Sequence, residues 1–306
     1  MSEDSNKHTP KFPPWLKKRL TPAGHAPAVN ELLGKLGLNT VCAGAHCPNQ
    51  CECFARGTAT FMILGDRCTR ACRFCAVGEA GKKKLSPPRA DEPDAVAQAV
   101  AKMNLRHVVV TCVTRDDLVD GGAEHFARTI SAIRNRVPNA VIEVLTSDFA
   151  GRNESLDVVV AARPDVFNHN VETVQRLHET VRPQANYRRS LTVLDYVKKK
   201  SLQVHPGGIY TKSGLMVGLG ETDEEIIQSL RDLRSVGCDI LTLGQYLAPS
   251  PAHLPVARFM EPSVFEQLRQ EALRMGFSAV AAGPFVRSSY NAQDVFGEIN
   301  RDRTSK

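Results

Sequence analysis

Residues 59–77 read ATFMILGDRCTRACRFCAV, in which an apolar run is followed directly by three cysteines. The apolar run at residues 59–64 is short and ends at Gly65, which is typical of a buried β-strand. Cys68, Cys72 and Cys75 then follow with the spacing C-x3-C-x2-C. A loop that follows a strand of a parallel sheet lies at the carboxyl edge of that sheet, where such folds carry their functional groups. This stretch therefore predicts three thiols at a functional edge.

Strand and helix patterns alternate along the chain after this stretch. The strand patterns are short and nearly continuously apolar, as expected for parallel strands covered by helices. About six strand–helix units fit between residues 59 and 247, so we predict an α/β fold of the partial (β/α)6 barrel type and not a complete eight-stranded barrel. The predicted strands start at residue 59 and continue at 107–113, 140–146, 165–171, 210–220 and 239–247, and predicted helices lie at 30–36, 123–137, 187–200 and 221–237.

The composition excludes several classes of protein. The chain has 306 residues, of which 42% are hydrophobic and 24% charged, and no run of about eighteen apolar residues could span a membrane. Its start carries acids and lacks the apolar stretch of a signal peptide, so we expect a cytoplasmic protein. The net charge is +6, and the basic runs Lys82–Lys84 and Lys198–Lys200 are either solvated or a docking face for an acidic protein. Only 6% of residues are aromatic and no nucleic-acid motif stands out, so nucleic acid is not an expected partner, and without a membrane-spanning run a membrane is not expected either.

The cysteines are clustered and odd in number. Seven of the nine lie between residues 42 and 75. An odd count in a chain without an export signal argues against a disulfide framework and favours metal ligation. The other two, Cys112 and Cys238, fall on apolar segments, where a small thiol is typically a core residue.

Three thiolates on one loop suit an iron–sulfur cluster better than a zinc ion. A structural zinc site usually takes four protein ligands, whereas each iron of a [4Fe–4S] cluster takes one, so three cysteines leave one iron open to another ligand. The C-x3-C-x2-C loop after the first strand resembles that of the radical S-adenosylmethionine (SAM) enzymes. In that family the open iron binds the amino and carboxylate groups of SAM, and the aromatic residue at Phe74 packs near the adenine. A zinc site or a purely structural site is the alternative.

A second set of cysteines precedes the first. Residues 42–54 read CAGAHCPNQCECF, in which Cys42, Cys47 and Cys53 have the spacing C-x4-C-x5-C. Near the C-terminus, residues 287–290 read RSSY. Together with the first cysteine loop, these motifs resemble those of the lipoyl synthases, and the resemblance covers nearly all of residues 15–290.

The resemblance implies that the second set holds an auxiliary [4Fe–4S] cluster. In lipoyl synthases a serine of the C-terminal motif supplies the fourth ligand, which we assign to Ser289, with Ser288 as the alternative. A serine oxygen is a hard ligand that should leave iron more readily than a thiolate, which suits a cluster that is dismantled in the reaction. Cys51 lies inside the second set and allows the spacing C-x3-C-x-C, but we interpret it as a bystander thiol.

The reaction implied by the resemblance is sulfur insertion. The substrate would be an octanoyl-lysine on a carrier protein, either a 2-oxoacid dehydrogenase subunit or the glycine-cleavage H protein. The first cluster and SAM would generate a radical that abstracts hydrogen at the sixth and then the eighth carbon, and the auxiliary cluster would donate both sulfur atoms. The resemblance also implies an electron donor such as flavodoxin or ferredoxin, an iron–sulfur carrier for cluster repair, and a monomer.

Glycines and arginines that follow the predicted strands are candidates for binding SAM. Gly121 and Gly122, in DDLVDGGA, expose backbone that can approach a ligand closely, although an ordinary turn is an equal interpretation. Arg182 and Arg188 are candidates for pairing with the SAM carboxylate, because a guanidinium fits a carboxylate.

The strand at 165–171 ends in a run of polar residues, NHNVE. Asn170 and Glu172 carry groups suited to the ribose or the methionine part of SAM. The neighbouring His169 is more typical of a buried histidine whose hydrogen bonds are satisfied within the protein.

These patterns divide the chain into three segments. We predict an N-terminal extension at 1–55 with the auxiliary-cluster cysteines, a barrel at 56–280, and a C-terminal extension at 281–306 with the RSSY motif. Two other functions stay open at this point. One is a different radical SAM sulfur-insertion enzyme acting on a small molecule, and the other is a zinc protein that docks a nucleic acid or a protein.

Overall fold

The protein folds around an eight-stranded sheet. A computed structural model describes residues 12–17, 26–44, 47, 49–55, 60–81, 83–205 and 207–304, without the side chains of residues 26, 51, 54, 55, 298 and 300–304. The strands are β1 (Asn39–Thr40), β2 (Thr60–Ile63), β3 (Arg67–Cys68), β4 (Gly78–Glu79), β5 (His107–Cys112), β6 (Val141–Leu145), β7 (Val166–Asn168), β8 (Tyr210–Val217), β9 (Ile240–Gln245) and β10 (Ala279–Gly283).

The sheet has the order β1-β2-β5-β6-β7-β8-β9-β10, and β3 pairs only with β4. All neighbours from β2 to β10 are parallel, and β1 is antiparallel to β2. The six predicted strands are confirmed as β2 and β5 to β9. The strand β10 was not predicted, and it forms one edge of the sheet while β1 forms the other. The partial barrel is therefore confirmed, with one more parallel strand than expected.

Helices connect the parallel strands and cover the outer face of the sheet. Six of them, one for each connection from β2 to β10, are long and amphipathic, which is the (β/α)6 arrangement predicted from the sequence. The helices are α1 (Ala26–Lys35), α2 (Val41–Gly44), α3 (Gln50–Ala55), α4 (Glu92–Lys102), α5 (Ala123–Arg136), α6 (Asn153–Ala161), α7 (His178–Val181), α8 (Tyr187–Val204), α9 (Asp223–Ser235), α10 (Pro262–Arg274) and α11 (Ala292–Thr304).

The local sequence explains why these elements begin and end where they do. Strands β2 and β9 are buried along their whole length, which is why their sequences consist mostly of apolar or small residues. Helix α9 begins with a capping box, in which the Thr222 hydroxyl and the Glu225 carboxylate each accept a hydrogen bond from the other residue's backbone N–H. Thr222 is therefore the N-cap of the helix predicted at 221–237.

The C-terminal helix covers the amino ends of the strands. The ring of Phe296 packs edge-on against His107 and Tyr210, which are the first residues of β5 and β8. Val295 and Ile299 belong to the same buried cluster. One end of the barrel is thus closed by α11, and the carboxyl ends of the strands remain for the functional site.

The three predicted segments share one sheet. Strand β1 lies within the predicted N-terminal extension, and β10 crosses the predicted boundary between residues 280 and 281. In the part of the chain that the structure describes, no helix is long and apolar enough to cross a lipid bilayer.

Candidate functional site

Both predicted cysteine sets line one cavity of about 710 Å³ inside the barrel. The cavity extends from the residues that follow the strands down to His107, the first residue of β5. Its walls combine apolar side chains with a limited number of polar groups, as in sites that bind organic ligands. The predicted site residues that line it are Cys42, Cys47, Cys53, Cys68, Cys72, Phe74, Cys75, Asn170, Glu172, Arg182, Ser288 and Ser289.

The first cysteine loop is anchored to the carboxyl edge of the sheet. The turn after β2 uses left-handed backbone at Leu64 and Gly65, with φ angles of 71° and 105°. The Sγ of Cys68 accepts hydrogen bonds from the N–H groups of Arg70 at 3.4 Å and Thr114 at 3.3 Å. Farther along the loop, the carbonyl of Cys75 lies 3.1 Å from His253 Nε2. Residues after β5 and after β9 thus hold the two ends of the loop.

A buried ion-pair network fixes the middle of the same loop. The Arg70 guanidinium contacts both oxygens of Asp116 at 2.8 Å and Oδ1 of Asp148 at 2.6 Å. Asp148 also accepts a hydrogen bond from Arg189 Nε at 2.7 Å. Burial alone would lower the pKa of Arg70 and raise that of Asp148, but the hydrogen bonds and charges between them shift both pKa values in the opposite direction. No sequence pattern predicted this network, because its members are far apart in the chain.

The buried thiols need a positive partner if they are to ionise. Burial raises the pKa of Cys75 to about 12 and that of Cys42 to about 11, with smaller contributions from the neighbouring thiols. Burial also raises the pKa of Cys72, which the charge of Arg182 opposes. A bound metal centre supplies the positive charge that makes such thiols thiolates. The donor set therefore fits iron–sulfur ligation.

Two further observations describe how the cysteine side chains are arranged. None of the eight cysteines with described side chains forms a disulfide. Within the described ranges, no three cysteine, histidine or acidic side chains are grouped so that they could hold one metal ion.

The second cysteine set lies beside the first residue of β2. The thiol of Cys42 is hydrogen-bonded with the backbone and the hydroxyl of Thr60. The Thr60 hydroxyl also donates to Ser289 Oγ at 2.8 Å. Arg287 is close enough to Cys47 for their charges to interact, although burial dominates and lowers the pKa of Arg287. The C-terminal motif therefore meets the second cysteine set, as the resemblance implied.

Further hydrogen bonds tie the C-terminal motif to the N-terminal cysteine segment. Asn49 Nδ2 donates to the carbonyl of Phe285 at 2.7 Å, and the Tyr290 hydroxyl donates to Glu52 Oε1 at 3.1 Å. These contacts join residues more than 230 positions apart in the chain. The N-terminal cysteine segment therefore contributes to holding the segment that carries RSSY in place.

Three predicted SAM-binding residues meet at the end of β7. Asn170 Nδ2 donates to Glu172 Oε1 at 3.0 Å, and the Arg182 guanidinium donates to the carbonyls of Asn170 and Val171 at 2.9 and 3.3 Å. Burial raises the pKa of Glu172, while the charge of Arg182 opposes the rise. Nε of Arg182 is buried without a hydrogen-bond partner in the described structure, so the guanidinium can still donate to an anionic group.

The other predicted SAM-binding residues lie elsewhere. Gly121 and Gly122 are not among the described residues that line the cavity, and they precede α5 with φ angles of 63° and 92°. A Cβ at Gly122 would lie 2.3 Å from Leu64, so this glycine permits close packing. Arg188 is exposed on α8 and also does not line the cavity. The inward face of α8 carries Tyr187 and Ser190 instead. The structure therefore does not support contact of Gly121, Gly122 or Arg188 with SAM.

The remaining sequence predictions have mixed outcomes. His169 is buried, with Nδ1 3.0 Å from the carbonyl of Thr146 and Nε2 3.0 Å from Ser190 Oγ, so a satisfied histidine is confirmed. Cys238 is fully buried in the core, as predicted. Cys112 packs against the core, as predicted, and it also lines the cavity. The side chain of Cys51 lies outside the described residues.

Comparisons with known proteins identify the family and the fold of this chain. Residues 62–233 match the family model of the Radical SAM superfamily. Crystal structures of methylornithine synthase and of a maturase of the [FeFe]-hydrogenase share the fold, with TM-scores of 0.53 and 0.56 at 16% and 15% identity. The first alignment covers 85% of this chain and 74% of that one, and the second covers 72% and 50%.

Curated relatives are much more similar in sequence. The lipoyl synthase of Chlorobium phaeovibrioides is 52% identical over 280 residues, which are 92% of this chain and 96% of that protein. The lipoyl synthase of Alkaliphilus metalliredigens is 50% identical over 282 residues, covering 92% and 94% of the two chains. That of Rubrobacter xylanophilus is 52% identical over 289 residues, covering 94% and 88%. This chain therefore belongs to the lipoyl synthases, within the radical SAM superfamily.

Proposed function

We propose that this lipoyl synthase holds two [4Fe–4S] clusters in a single cavity, one on each cysteine set. The reaction of the family is SAM-dependent insertion of sulfur at the sixth and eighth carbons of a protein-bound octanoyl-lysine. The observation that carries the proposal is that both cysteine sets, both serines of RSSY and the polar residues after β7 line the same 710 Å³ of space. Because the space is shared, a radical formed beside the first cysteine set can act on a substrate chain held beside the second set.

Cys68, Cys72 and Cys75 are the proposed ligands of the cluster that binds SAM. When bound, the first cluster would supply the electron that cleaves SAM, and the auxiliary cluster would supply the sulfur that is inserted. The role of the surrounding residues is to position the loop. Arg70 holds its middle on Asp116 and Asp148, and the N–H of Thr114 donates to the sulfur of Cys68. Backbone N–H donors to a thiolate stabilise its negative charge.

SAM is proposed to bind between Phe74 and the end of β7. The Nε of Arg182, which is buried and has no partner in the described structure, is suited to the SAM carboxylate. Asn170 and Glu172 offer an amide and a carboxylate to the hydroxyl and amino groups of the ligand. A carboxylate that is costly to ionise alone gains from a cationic ligand, which matches the raised pKa of Glu172.

Cys42, Cys47, Cys53 and Ser289 are the proposed ligands of the auxiliary cluster. The contact between Thr60 and Ser289 places the Ser289 hydroxyl beside Cys42, whereas the Ser288 hydroxyl contacts Asn170. This geometry favours Ser289 over Ser288 as the iron ligand. A single oxygen ligand among thiolates leaves one iron more weakly held than the others.

The octanoyl chain is proposed to enter between the two cysteine sets. Apolar side chains line the cavity there, among them Met62, Val77, Leu215 and Met216, and they keep water away from the reacting carbons. The lysine that carries the chain would stay on its carrier protein outside the mouth. We propose an octanoylated lipoyl-carrier protein as the partner, and a flavodoxin or ferredoxin as the reductant.

The proposal is tested with three matched cysteine variants. Protein reconstituted anaerobically is incubated with SAM, dithionite and an octanoyl-lysine peptide, and 5′-deoxyadenosine and sulfur-containing peptide are measured by mass spectrometry. Cys72→Ala should abolish both products. At saturating SAM, Cys47→Ala should keep 5′-deoxyadenosine formation and abolish sulfur insertion, and Cys51→Ala should behave as the unaltered protein. Sulfur insertion by the Cys47 variant would contradict the assignment of the second set.

A further inference from the structure

Ser288 and Ser289 are adjacent in the chain but contact opposite sides of the cavity. Ser289 Oγ accepts a hydrogen bond from Thr60 beside the second cysteine set. Ser288 Oγ accepts one from Asn170 Nδ2 at 2.6 Å, on the side of the first set. Only the Ser289 contact is explained by iron ligation. The Ser288 contact therefore needs a separate account.

The Asn170 amide has its orientation set by these contacts. A carboxylate can only accept, so the NH2 group of Asn170 must face Glu172, and its second N–H then points to Ser288. The Oδ1 of Asn170 lies so close to Gly214 that a Cβ added to this glycine would be only 2.8 Å from it. The Asn170 side chain therefore has little room to rotate. Ser288 thus completes the fixation of Asn170, and through Asn170 it orients the Glu172 carboxylate.

The segment that carries Ser288 depends on the N-terminal cysteine segment. The carbonyl of Phe285 accepts from Asn49, which is itself buried, and Tyr290 donates to Glu52. Val286 also packs against the sheet, since a Cβ at Gly244 would lie 2.2 Å from its carbonyl oxygen. A backbone displacement that releases Ser289 also moves Ser288, because one planar peptide unit joins the two residues.

We infer that Ser288 is a positioning residue for SAM, which links the SAM site to the position of the loop of residues 285–290 that carries RSSY. With the loop in place, the Ser288 hydroxyl holds Asn170 and Glu172 in their binding orientation. When the loop is displaced, Asn170 loses one partner and SAM binds less tightly. Loss of this hydrogen bond thereby lowers SAM occupancy, and with it SAM cleavage at limiting SAM, when the sulfur-donor side is not assembled. The inference rests on the proposed SAM site.

The test measures SAM binding without turnover. Protein with its clusters reconstituted is held anaerobically without reductant, and SAM affinity is measured by equilibrium dialysis. Ser288→Ala should raise the Kd for SAM about threefold to tenfold, the usual effect of one lost hydrogen bond. Ser288→Thr keeps the hydroxyl and should stay within about twofold of the unaltered protein. Asn170→Ala combined with Ser288→Ala should bind no more weakly than Asn170→Ala alone, because the two residues act as one unit.

A second arm tests the link itself. Cys47→Ala, which removes a proposed auxiliary-cluster ligand, should raise the Kd for SAM in the presence of Ser288 and cause no further increase in the Ser288→Ala background. The change that SAM causes in the EPR spectrum of the reduced first cluster should rank the variants in the same order as their SAM affinities. Equal SAM affinity for Ser288→Ala and the unaltered protein would overturn the inference, as would equal weakening by Ala and Thr. Failure of the unaltered protein to bind SAM would instead overturn the SAM site on which the inference rests.

Discussion

The hydroxyl of Thr60 donates a hydrogen bond to the hydroxyl of Ser289 across 2.8 Å, and this contact joins the start of the parallel sheet to the C-terminal motif. Thr60 is the first residue of β2 and also contacts the thiol of Cys42. The strand that leads into the first cysteine loop therefore also positions the second cysteine set. Both proposed clusters are placed by one strand.

Ser289 should determine how firmly the auxiliary cluster is held. Replacing Ser289 with Ala removes the proposed oxygen ligand, and we expect the iron bound per chain to fall by up to about four after exposure to a mild chelator. Ser288→Ala is the matched control and should retain its iron, because its hydroxyl contacts Asn170 and not the second cysteine set. The iron and acid-labile sulfide content per chain is measured for both variants. Equal iron loss in the two variants would contradict the assignment of Ser289.

The close approach of Gly214 to Asn170 should be essential for the SAM site. A Cβ at this position would lie 2.8 Å from both Asn170 Oδ1 and Thr242 Oγ1, so Gly214→Ala must displace one of them. We expect the Kd for SAM to rise about tenfold or more, with a loss of stability of about 1–3 kcal/mol. Gly34→Ala is the control, since no atom lies within 4 Å of its Cβ and α1 should gain stability from alanine. Unchanged SAM affinity in Gly214→Ala would show that Asn170 is not needed.

His169 should make the protein less stable as the pH falls below neutrality. Burial, with a contribution from the charge of Arg182, lowers the pKa of His169 from 6.5 to about 4. The unfolded chain therefore binds a proton between these pH values that the folded chain does not, so stability is complete above pH 6.5 and declines below it. Between pH 7.5 and 5.5 this one group should lower the free energy of unfolding by about 1 kcal/mol.

Thermal unfolding at these two pH values tests the role of His169. His169→Gln cannot titrate and should have a lower Tm at pH 7.5, because it disturbs the hydrogen bonds to Thr146 and Ser190. Its further loss of stability on acidification should be smaller than that of the unaltered protein. The same loss in both proteins would contradict the buried neutral state of His169.

The basic run at Lys198–Lys200 should not be the docking face for the carrier protein. All three lysines pair with acids of this chain, namely Asp239, Asp195 and Asp157. They also lie in the second half of α8, which runs back toward the amino ends of the strands. Lys83 and Lys84 are exposed and follow Glu79, which lines the cavity, so they are better placed at its mouth.

Charge variants distinguish the two basic runs. Lys83→Glu with Lys84→Glu should raise the KM for an octanoylated carrier protein several-fold at low salt and leave the KM for a short octanoyl-lysine peptide unchanged. Lys199→Gln with Lys200→Gln should change neither value. A reversed result, with the effect on the second pair only, would restore the run at 198–200 as the docking face.

The fold was predictable where short segments carry their own signal. Strands β2 and β5 are apolar along most of their length, and Thr222 caps α9 with its own side chain, so neighbouring residues suffice for the prediction. Strand β10 escaped because AVAAG is short and built of small residues, and only its pairing with β9 makes it a strand.

The site was predictable only where ligand chemistry imposes a spacing. The cysteine positions follow from that spacing, but the partners of Arg70 do not, because Asp116 and Asp148 are 46 and 78 residues away. Glu143 and Lys212 form a buried ion pair with 2.8 Å between them, inside two strands whose patterns gave no sign of it. Strand β7 lies between these two strands, so the order and register of the whole sheet decide which groups meet.

The most direct test of the two-cluster site is the iron and acid-labile sulfide content of cysteine variants purified and reconstituted without oxygen. The unaltered protein should bind about eight of each per chain. Replacing Cys42, Cys47 and Cys53 with Ala should leave about four of each, and replacing Cys68, Cys72 and Cys75 should leave a different set of about four. About four of each in the unaltered protein, or no loss on removing the second cysteine set, would contradict the account.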